Sequence, residues 1–149
     1  MTTVAALLIH HPEDPERLLA VQRPDDPQEE FPGLWGLPAA TCRPGESLHE
    51  AAHRAAREKL GLALQSLAPV AFGAHQRSQG VLAMTLFEAT THAQAPVLPT
   101  PRPDGSTYYT AWRWASPAIL EEGVAQGSLC CALALGLGRE ERARERLSD

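Results

Sequence analysis

Four charged side chains recur at every fourth position in one short stretch of the chain. Glu46, Glu50, Arg54 and Glu58 have the spacing that places side chains on one side of a helix. Clustered carboxylates are the ligands that a magnesium ion prefers in proteins. The simpler interpretation is an ion-paired helix surface, in which exposed Glu50–Arg54 and Arg54–Glu58 pairs contribute roughly 0.3–0.5 kcal/mol each.

The same stretch also matches H-E-x-x-H, the helix signature of zinc proteases, through His49, Glu50 and His53. In that signature two histidines one turn apart bind zinc, and the glutamate activates a water molecule. The extended pattern H-x-x-G-x-x-H fails, because Ala56 and Lys59 stand where glycine and the third histidine belong. Zinc-dependent proteolysis is therefore kept only as a remote alternative.

One loop and one helix must position these residues. Pro44-Gly45 is a turn signal, and Ser47 with Glu50 forms an S-x-x-E capping box, which predicts a helix that begins near Leu48. Gly61 predicts its end. Because Glu50 serves the cap, the H-E-x-x-H motif lies in the first turn of the helix and not in its rigid interior.

The stretch from Leu37 to Leu62, LPAATCRPGESLHEAAHRAAREKLGL, resembles the Nudix box. The family pattern is G-x5-E-x7-R-E-U-x-E-E-x-G-U, where U is a bulky aliphatic residue. An ungapped alignment places the family's first glutamate on Glu46, its arginine on Arg54 and its final Gly-U on Gly61-Leu62. The frame P-G-E-S-L-x-E-A-A-x-R makes the likeness specific, and the preceding FPGLWGLPA is similar to the family's approach to the box.

The box departs from the family pattern at several positions. Ala40 replaces the first glycine, and Ala56 replaces an aliphatic residue. Of the three glutamates in R-E-U-x-E-E, which in the family carry the divalent metal and the catalytic base, only Glu58 is kept. Ala55 and Lys59 hold the other two positions, so the trio has no net charge. Lys59 repels a divalent cation, and we expect no family-type metal binding on this trio.

The resemblance implies what an intact member does, which is Mg²⁺-dependent hydrolysis of a nucleoside diphosphate linked to another moiety. If this chain is active, its cofactor is Mg²⁺ or Mn²⁺ and its catalytic residues are Glu58, Glu46 and Glu50. Glu58, Glu50 and Ala40 are then the candidates for the metal site. We expect weak or absent hydrolysis, and the alternative is a nucleotide- or phosphate-binding or regulatory module that uses the same cleft without a metal.

Three residues are candidates for substrate binding: Lys59, Trp35 and Arg54. Lys59 either extends to solvent from the last helical turn, where the helix dipole favours a cation, or points into a polar cleft. In the cleft its ammonium takes roughly the place of the missing metal and binds a phosphate or diphosphate. Trp35 is either a core anchor or a pocket wall that stacks on a base or sugar. The resemblance implies that Arg54 and Glu46 also hold the box in shape.

A proline-rich segment from Thr91 to Gly105 lacks periodicity and is predicted to be a long loop. In the resembled family a loop on this side of the sheet helps to select the substrate and supplies a further acidic metal ligand. Glu88 and Asp104 are the candidates for that ligand here, although a plain surface role is the preferred interpretation of each.

Composition limits the remaining possibilities. A length of 149 residues fits one domain with a real core, and a formal charge of −5 makes nucleic acid an improbable partner. No apolar run is long enough for a membrane span and no signal peptide is evident, so we expect a cytoplasmic protein. Three cysteines, two of them adjacent, indicate reduced thiols without a disulfide framework. The expected partner is a small nucleotide or diphosphate ligand.

Strand patterns flank the central helix. Short apolar runs predict strands in five places: Val4 to Ile9, Arg17 to Val21, Leu67 to Phe72, Val81 to Ala89 and Thr107 to Ala115. Gly73 to Gly80 is predicted to be a hairpin loop, and the acidic segment Arg23 to Phe31 an exposed loop.

Two helices are predicted after the last strand. Ser116-Pro117 predicts the start of the first, and the apolar segment Ser128 to Leu137 predicts a buried second one. The tail from Arg139 is expected to be a solvated helix end, with a homodimer contact as a minor alternative. These elements predict an α/β fold with a mixed sheet. The resemblance implies a Nudix-type α/β/α sandwich in one domain, residues 1–149, with the box at 40–62 and the charged tail at about 139–149.

Overall fold

A seven-stranded mixed β-sheet organises the part of the chain that the computed structural model describes, residues 1–93, 95–100 and 108–137. Its strands are β1 Thr2–His10, β2 Leu18–Gln22, β3 Trp35–Gly36, β4 Ala39–Thr41, β5 Leu64–Arg77, β6 Gly80–Thr91 and β7 Ala111–Ala115. The order is β3-β2-β1-β6-β5, with β4 also paired to β1 and β7 to β2. β1 and β6 are parallel and the other pairs are antiparallel, which confirms the predicted mixed sheet.

The central strand β1 is apolar on both faces because both faces are covered. Ala5, Leu7 and Ile9 belong to a core cluster that includes the box helix. Val4, Ala6 and Leu8 alternate with them and join a second cluster, which contains residues of the C-terminal helix. Strands buried on both sides have continuous apolar runs, and this is why the sequence pattern predicts β1 and β2.

The box helix, α1, spans Leu48–Leu60 and has the predicted ends. The Ser47 side chain accepts a hydrogen bond from the Glu50 backbone N–H, and the Glu50 side chain accepts one from the Ser47 backbone N–H. Gly61 ends the helix in the left-handed conformation, with φ of 63°. Most of the buried face of α1 consists of four alanines without any exposed surface, namely Ala51, Ala52, Ala55 and Ala56. Such a face lets the helix lie close against the sheet.

The predicted loop between β5 and β6 is wrong. Residues 73–77 continue strand β5, and the pairing runs from Gly73 opposite Met84 to Arg77 opposite Gly80, which leaves a two-residue turn. The pattern predicts Gly73 as a loop residue, but in the structure it marks a close approach. A Cβ atom there would lie 3.1 Å from side-chain carbons of Leu129 and Leu133.

The segment after β7 begins with a 3-10 turn at Pro117–Leu120 and not with an α-helix. Ser116 precedes that turn, but its side chain makes no capping hydrogen bond. A short helix α2, Glu121–Ala125, follows, and α3 begins at residue 129 and extends to residue 137, where the described part ends. In α3, Cys130, Cys131 and Ala134 are buried, while other positions are half-buried or exposed. The prediction of a buried helix here is confirmed for one face.

Three predictions fall on residues outside the described part of the chain: the start of the last strand at Thr107, the acid Asp104 and the charged tail from Arg139. Within the described part, no helix is both long and apolar enough to cross a membrane.

Candidate ligand-binding cleft

A cleft of about 810 Å³ opens beside β4 and the last turn of α1. β4 contributes backbone and small side chains to its wall, including Ala40. The charged and aromatic side chains in the wall include Arg23, Phe31, Lys59, Arg77 and Tyr109. Pockets of this size hold drug-sized or nucleotide-sized ligands, and this one combines cations with aromatic rings.

Lys59 points into this cleft, which is the second of its two predicted orientations. Its Nζ donates a 2.6 Å hydrogen bond to the backbone oxygen of Ala39 and lies 5.6 Å from the centre of the Tyr109 ring. Burial and the nearby guanidinium groups of Arg23 and Arg54 lower the pKa of Lys59 to about 8. The ammonium group is therefore held in a position that disfavours its charge.

Tyr109 fixes the backbone that Lys59 contacts. Its side chain is 4% exposed, and its hydroxyl accepts a 3.0 Å hydrogen bond from the Ala39 N–H while it donates a longer one, 3.4 Å, to the Ala39 oxygen. Burial raises the pKa of Tyr109 to about 12, so the phenol keeps its proton at neutral pH. The Ala39 carbonyl thus has two donors, a lysine and a tyrosine.

Arg54 and Glu46 form the strongest ion pair of the box. Arg54 is 8% exposed, and its Nε and Nη2 donate to the two carboxylate oxygens of Glu46 at 2.8 and 2.9 Å. Nη2 also donates to the Thr41 backbone oxygen at 2.8 Å, which ties the start of the box to β4. The Arg54 hydrogen bonds, followed by one from the Arg43 backbone N–H, lower the pKa of Glu46 to about 2. This geometry agrees with the shape-holding role that the resemblance implies.

The remaining box glutamates are separated from each other. Glu58 Oε2 lies 3.7 Å from Arg43 and 3.8 Å from Arg54, so two guanidinium groups compensate its charge. Glu50 is occupied by the capping box at the opposite end of α1. Eight residues of helix separate the two glutamates by about 12 Å along the axis. The expected Glu50–Arg54 pair is replaced by these capping bonds and by the Arg54–Glu46 pair.

These residues do not fit a divalent cation. Both carboxylate oxygens of Glu46 accept hydrogen bonds from Arg54, and the carboxylate of Glu58 lies beside two arginines. The Ala39 carbonyl oxygen accepts a hydrogen bond from the ammonium of Lys59. The described residues contain no cluster of three or more His, Cys, Asp or Glu side chains placed to hold a metal. Mg²⁺ needs oxygen ligands without competing cations, and this donor set does not provide them.

Of the trio at positions 55, 58 and 59, only Lys59 lines the cleft. Ala55 has no exposed surface and packs in the core between α1 and the sheet. Arg54 is also absent from the cleft wall, because its guanidinium is used within the box. The three positions therefore do not line one hollow together, and of the three only Lys59 enters the cleft, from the last turn of α1.

Two other predicted residues lie outside the cleft wall, on the sheet face that packs against the C-terminal helix. Trp35 packs against the cluster that includes the C-terminal helix, with the Arg113 guanidinium 5.6 Å above its ring. Glu88 alternates with Phe87 and so shares that face, where its carboxylate lies 3.3 Å from His10. The structure brings neither side chain to Lys59.

The histidines of the H-E-x-x-H motif do not form a metal pair. The His49 ring packs edge-on against Phe87 with their centres 5.1 Å apart, and His53 is exposed on α1. Glu50 between them caps the helix, as the sequence predicted.

Four residues of the cleft wall were missed by the sequence patterns. Arg23 and Phe31 come from the segment predicted to be an exposed loop, and both are half-buried, with the Arg23 guanidinium 6.0 Å from the ring centre of Phe31. Arg77 falls in the wrongly predicted loop, and Tyr109 in a predicted strand. The available signal was one basic and one aromatic residue at the two ends of the acidic segment 23–31. No local pattern specifies which loop folds back over β4.

All three cysteines are free. Cys130 and Cys131 are buried in the second core cluster, which agrees with the predicted buried helix over Ser128 to Leu137. Cys42 is half-buried, and burial, followed by the Glu46 charge, raises the pKa of its thiol.

Comparisons with known proteins agree with this architecture. A model of the NUDIX domain matches residues 1–128. A search of curated proteins gave no match. Among solved structures, the E. coli ORF135 protein is 22% identical, with 92% of this chain and 90% of that chain covered and a TM-score of 0.67.

Two further solved structures have the same fold. The NUDIX domain of Shewanella oneidensis NrtR, solved in complex with ADP-ribose, is 24% identical over 98% of this chain and 86% of that chain, with a TM-score of 0.61. The MutT protein from Methanosarcina mazei Go1 is 19% identical over 96% of this chain and 94% of that chain, with a TM-score of 0.65. Because the family model covers most of the sequence, and the sheet and helices have the fold of these neighbours, the chain belongs to the Nudix family.

Proposed function

We propose that this Nudix domain binds a nucleotide-type diphosphate in the cleft through Lys59, without a divalent metal, and that it hydrolyses such a ligand weakly or not at all. The observation that carries the proposal is the ammonium of Lys59 inside the cleft. Among the described residues its polar contacts are a carbonyl oxygen and an aromatic ring, and no carboxylate lies within ion-pair distance. An anionic ligand would supply the missing counter-charge.

The other cations of the cleft support the same class of ligand. Arg23 lies 3.7 Å from Glu29, and Arg77 pairs with Glu30. Both pairs involve the segment 23–31, so a ligand phosphate that competes for either arginine would also engage this loop. Charge-assisted hydrogen bonds from lysine and arginine are the common means of phosphate recognition in proteins. The aromatic rings of Phe31 and Tyr109 border the same space.

The solved neighbour in complex with ADP-ribose supports a nucleoside diphosphate as the ligand. We adopt ADP-ribose and ADP as the first probes, because both carry a diphosphate and an adenosine group. A cleft of about 810 Å³ is large enough for either.

Metal-dependent hydrolysis is the competing function. It would require Glu46, Glu50 and Glu58 to act together, but Arg54 holds the first, the capping box holds the second, and two arginines flank the third. A screen for AMP or phosphate release from nucleoside diphosphate sugars, dinucleoside polyphosphates and nucleoside triphosphates, with Mg²⁺ and Mn²⁺, tests this function. Turnover that disappears in Glu58→Gln would support the hydrolase and contradict our proposal.

Isothermal titration of ADP and ADP-ribose in EDTA tests the binding proposal. We expect binding by the native chain and a loss of affinity of about tenfold or more in Lys59→Met, since a charge-assisted hydrogen bond contributes roughly 1.5–3 kcal/mol. Arg57→Met is the matched control, because Arg57 is an exposed cation of the same helical turn and its replacement changes the net charge equally. Binding that requires added Mg²⁺, or equal affinity in both variants, would contradict the proposal.

A further inference from the structure

Lys59 is the only lysine of the chain, and every other member of its 13 lysine and arginine residues is an arginine. The sequence therefore holds two kinds of primary amine, the Lys59 side chain and the amino group of Met1, which is 91% exposed. A guanidinium group keeps its proton at any physiological pH, whereas an amine can lose it and act as a nucleophile. The one side chain with this chemistry lies in the candidate ligand site.

The surroundings of Lys59 favour a nucleophilic amine. Its Nζ lies between the Ala39 carbonyl and the face of the Tyr109 ring, and the cationic neighbours Arg23 and Arg54 oppose its charge. A lysine that is desolvated and placed beside other cations is the arrangement that activates amines toward carbonyl carbons. Burial in this setting also lowers its pKa, which increases the unprotonated fraction at neutral pH.

We propose that Lys59 forms an imine with the aldehyde of a phosphate-bearing ligand, such as the open-chain form of a sugar that is linked through phosphate and has a free anomeric carbon. The proposal rests on the proposed function, because it places the phosphates of the same ligand in the same cleft. The unprotonated Nζ attacks the aldehyde carbon and gives a carbinolamine, which loses one water molecule to form the C=N bond. Oxidation states do not change, and no co-reactant is required.

The two groups of the ligand have separate roles: the phosphate is bound by the cleft, and the aldehyde carbon forms the covalent bond with Nζ. The guanidinium groups of Arg23 and Arg77 line the cleft that Lys59 enters, so a ligand phosphate bound by either arginine holds the aldehyde near Nζ. Holding two reactants together in this way raises their effective concentration. Two sources of such an aldehyde, a small sugar phosphate and a nucleoside diphosphate sugar, share this chemistry, and ribose 5-phosphate and ADP-ribose represent them in the experiment.

Borohydride trapping with intact-mass and peptide mass spectrometry tests the inference. The full chain is incubated in EDTA with ADP-ribose, ribose 5-phosphate or ribose and then reduced with sodium cyanoborohydride. We expect one adduct per chain at Lys59, at a rate at least about tenfold higher with the phosphate-bearing sugars than with ribose, which differs from ribose 5-phosphate only in the phosphate. A higher rate with ADP-ribose than with ribose 5-phosphate would identify the nucleotide source, and the reverse order the sugar phosphate.

Lys59→Arg is the decisive variant, since arginine keeps the positive charge but forms no imine under these conditions. We expect it to lose the trapped adduct at position 59. Labelling at Met1 serves as the internal control, because it should persist unchanged in this variant.

The outcomes separate the two proposals. Failure of the native chain to bind ADP in EDTA overturns the proposed function. Binding of ADP together with trapping only at Met1, or with equal trapping by ribose, overturns the imine and leaves the proposed function standing.

Discussion

At the scale of single residues, Lys59 changes what the box can do. Its ammonium enters the cleft and donates a hydrogen bond to a backbone oxygen. Two arginines of the box, Arg43 and Arg54, compensate the negative charges of Glu46 and Glu58. A site of this kind attracts an anion. We therefore expect the properties of the cleft to depend on Lys59 more than on any retained glutamate.

Lys59 also affects stability in a pH-dependent manner. Its pKa is about 8 in the folded chain and about 10.5 when unfolded, so the unfolded state holds more protons between these values and the free energy of unfolding rises with pH across this window. Below pH 8 Lys59 is charged in the folded chain, and the burial of this charge lowers the free energy of unfolding by its full amount. Lys59→Met should therefore be more stable than the native chain at pH 7, by about 1–2 kcal/mol, and this difference should shrink toward pH 10.

Urea unfolding at pH 7 and pH 9.5 measures this difference. Arg57→Met, on the exposed side of α1, should show a small effect that is nearly the same at both pH values. A Lys59→Met variant that is less stable than the native chain at pH 7 would contradict this prediction. It would show that the contacts of the ammonium with the Ala39 oxygen and the Tyr109 ring outweigh the cost of its burial.

The Glu46–Arg54 pair predicts a different pH dependence. Because the pKa of Glu46 is about 2 in the folded chain and about 4.5 when unfolded, the pair stabilises fully above pH 4.5 and loses its effect as the pH falls toward 2. Glu46→Gln should lower the melting temperature at pH 7, and the gap to the native chain should close over this acidic range.

Circular dichroism melts between pH 2.5 and 7 measure this effect. Glu121→Gln makes the same chemical change at an exposed position of α2 and should leave the melting temperature within about 1–2 °C of the native value. A gap between Glu46→Gln and the native chain that stays constant down to pH 2.5 would contradict the pair's role.

At the scale of elements, close packing around α2 and α3 depends on small residues. A Cβ atom on Gly123 would lie 2.4 Å from Cys131 Sγ and 3.1 Å from its Cβ, and Cys131 has no exposed surface into which it could move. Gly123→Ala should therefore destabilise the chain by about 1–3 kcal/mol. Cys131→Ala in the same background should recover part of this loss, since it removes the nearest atom.

Gly136 provides the control for this substitution. It lies in α3, and a Cβ atom added there would meet no other atom within 4 Å, so Gly136→Ala should be neutral or stabilising by up to about 1 kcal/mol. Denaturant unfolding of the single and double variants gives the coupling free energy between positions 123 and 131. Additive effects would contradict the close approach of α2 and α3.

The sequence predicted the elements whose signals are local. The capping box and Gly61 placed both ends of α1, because each depends on residues within one turn of the helix. The prediction for Gly73 and the residues after it is wrong, since their conformation is decided by pairing with β6 and by the two leucines of α3. The same glycine signal thus marks a helix end at one position and a packing contact at another.

At the scale of the whole molecule, the cleft is assembled from segments that are far apart in the sequence. Lys59, Tyr109 and Arg23 lie around β4 because the folded sheet brings their segments together. Their meeting could not be predicted from local patterns, although the box itself could, because its spacing carries the family resemblance. The positions of Trp35 and Glu88 outside the cleft wall follow from sheet topology, which the sequence did not specify.

The central claim is that Lys59 binds the ligand's phosphates without a metal. Its most direct test is one calorimetric titration of ADP into the native chain in EDTA, repeated after addition of excess Mg²⁺. We predict binding in EDTA with an affinity that Mg²⁺ leaves unchanged or weakens, since the free diphosphate carries the charge that Lys59 recognises. Binding that appears only after Mg²⁺ is added would contradict the claim.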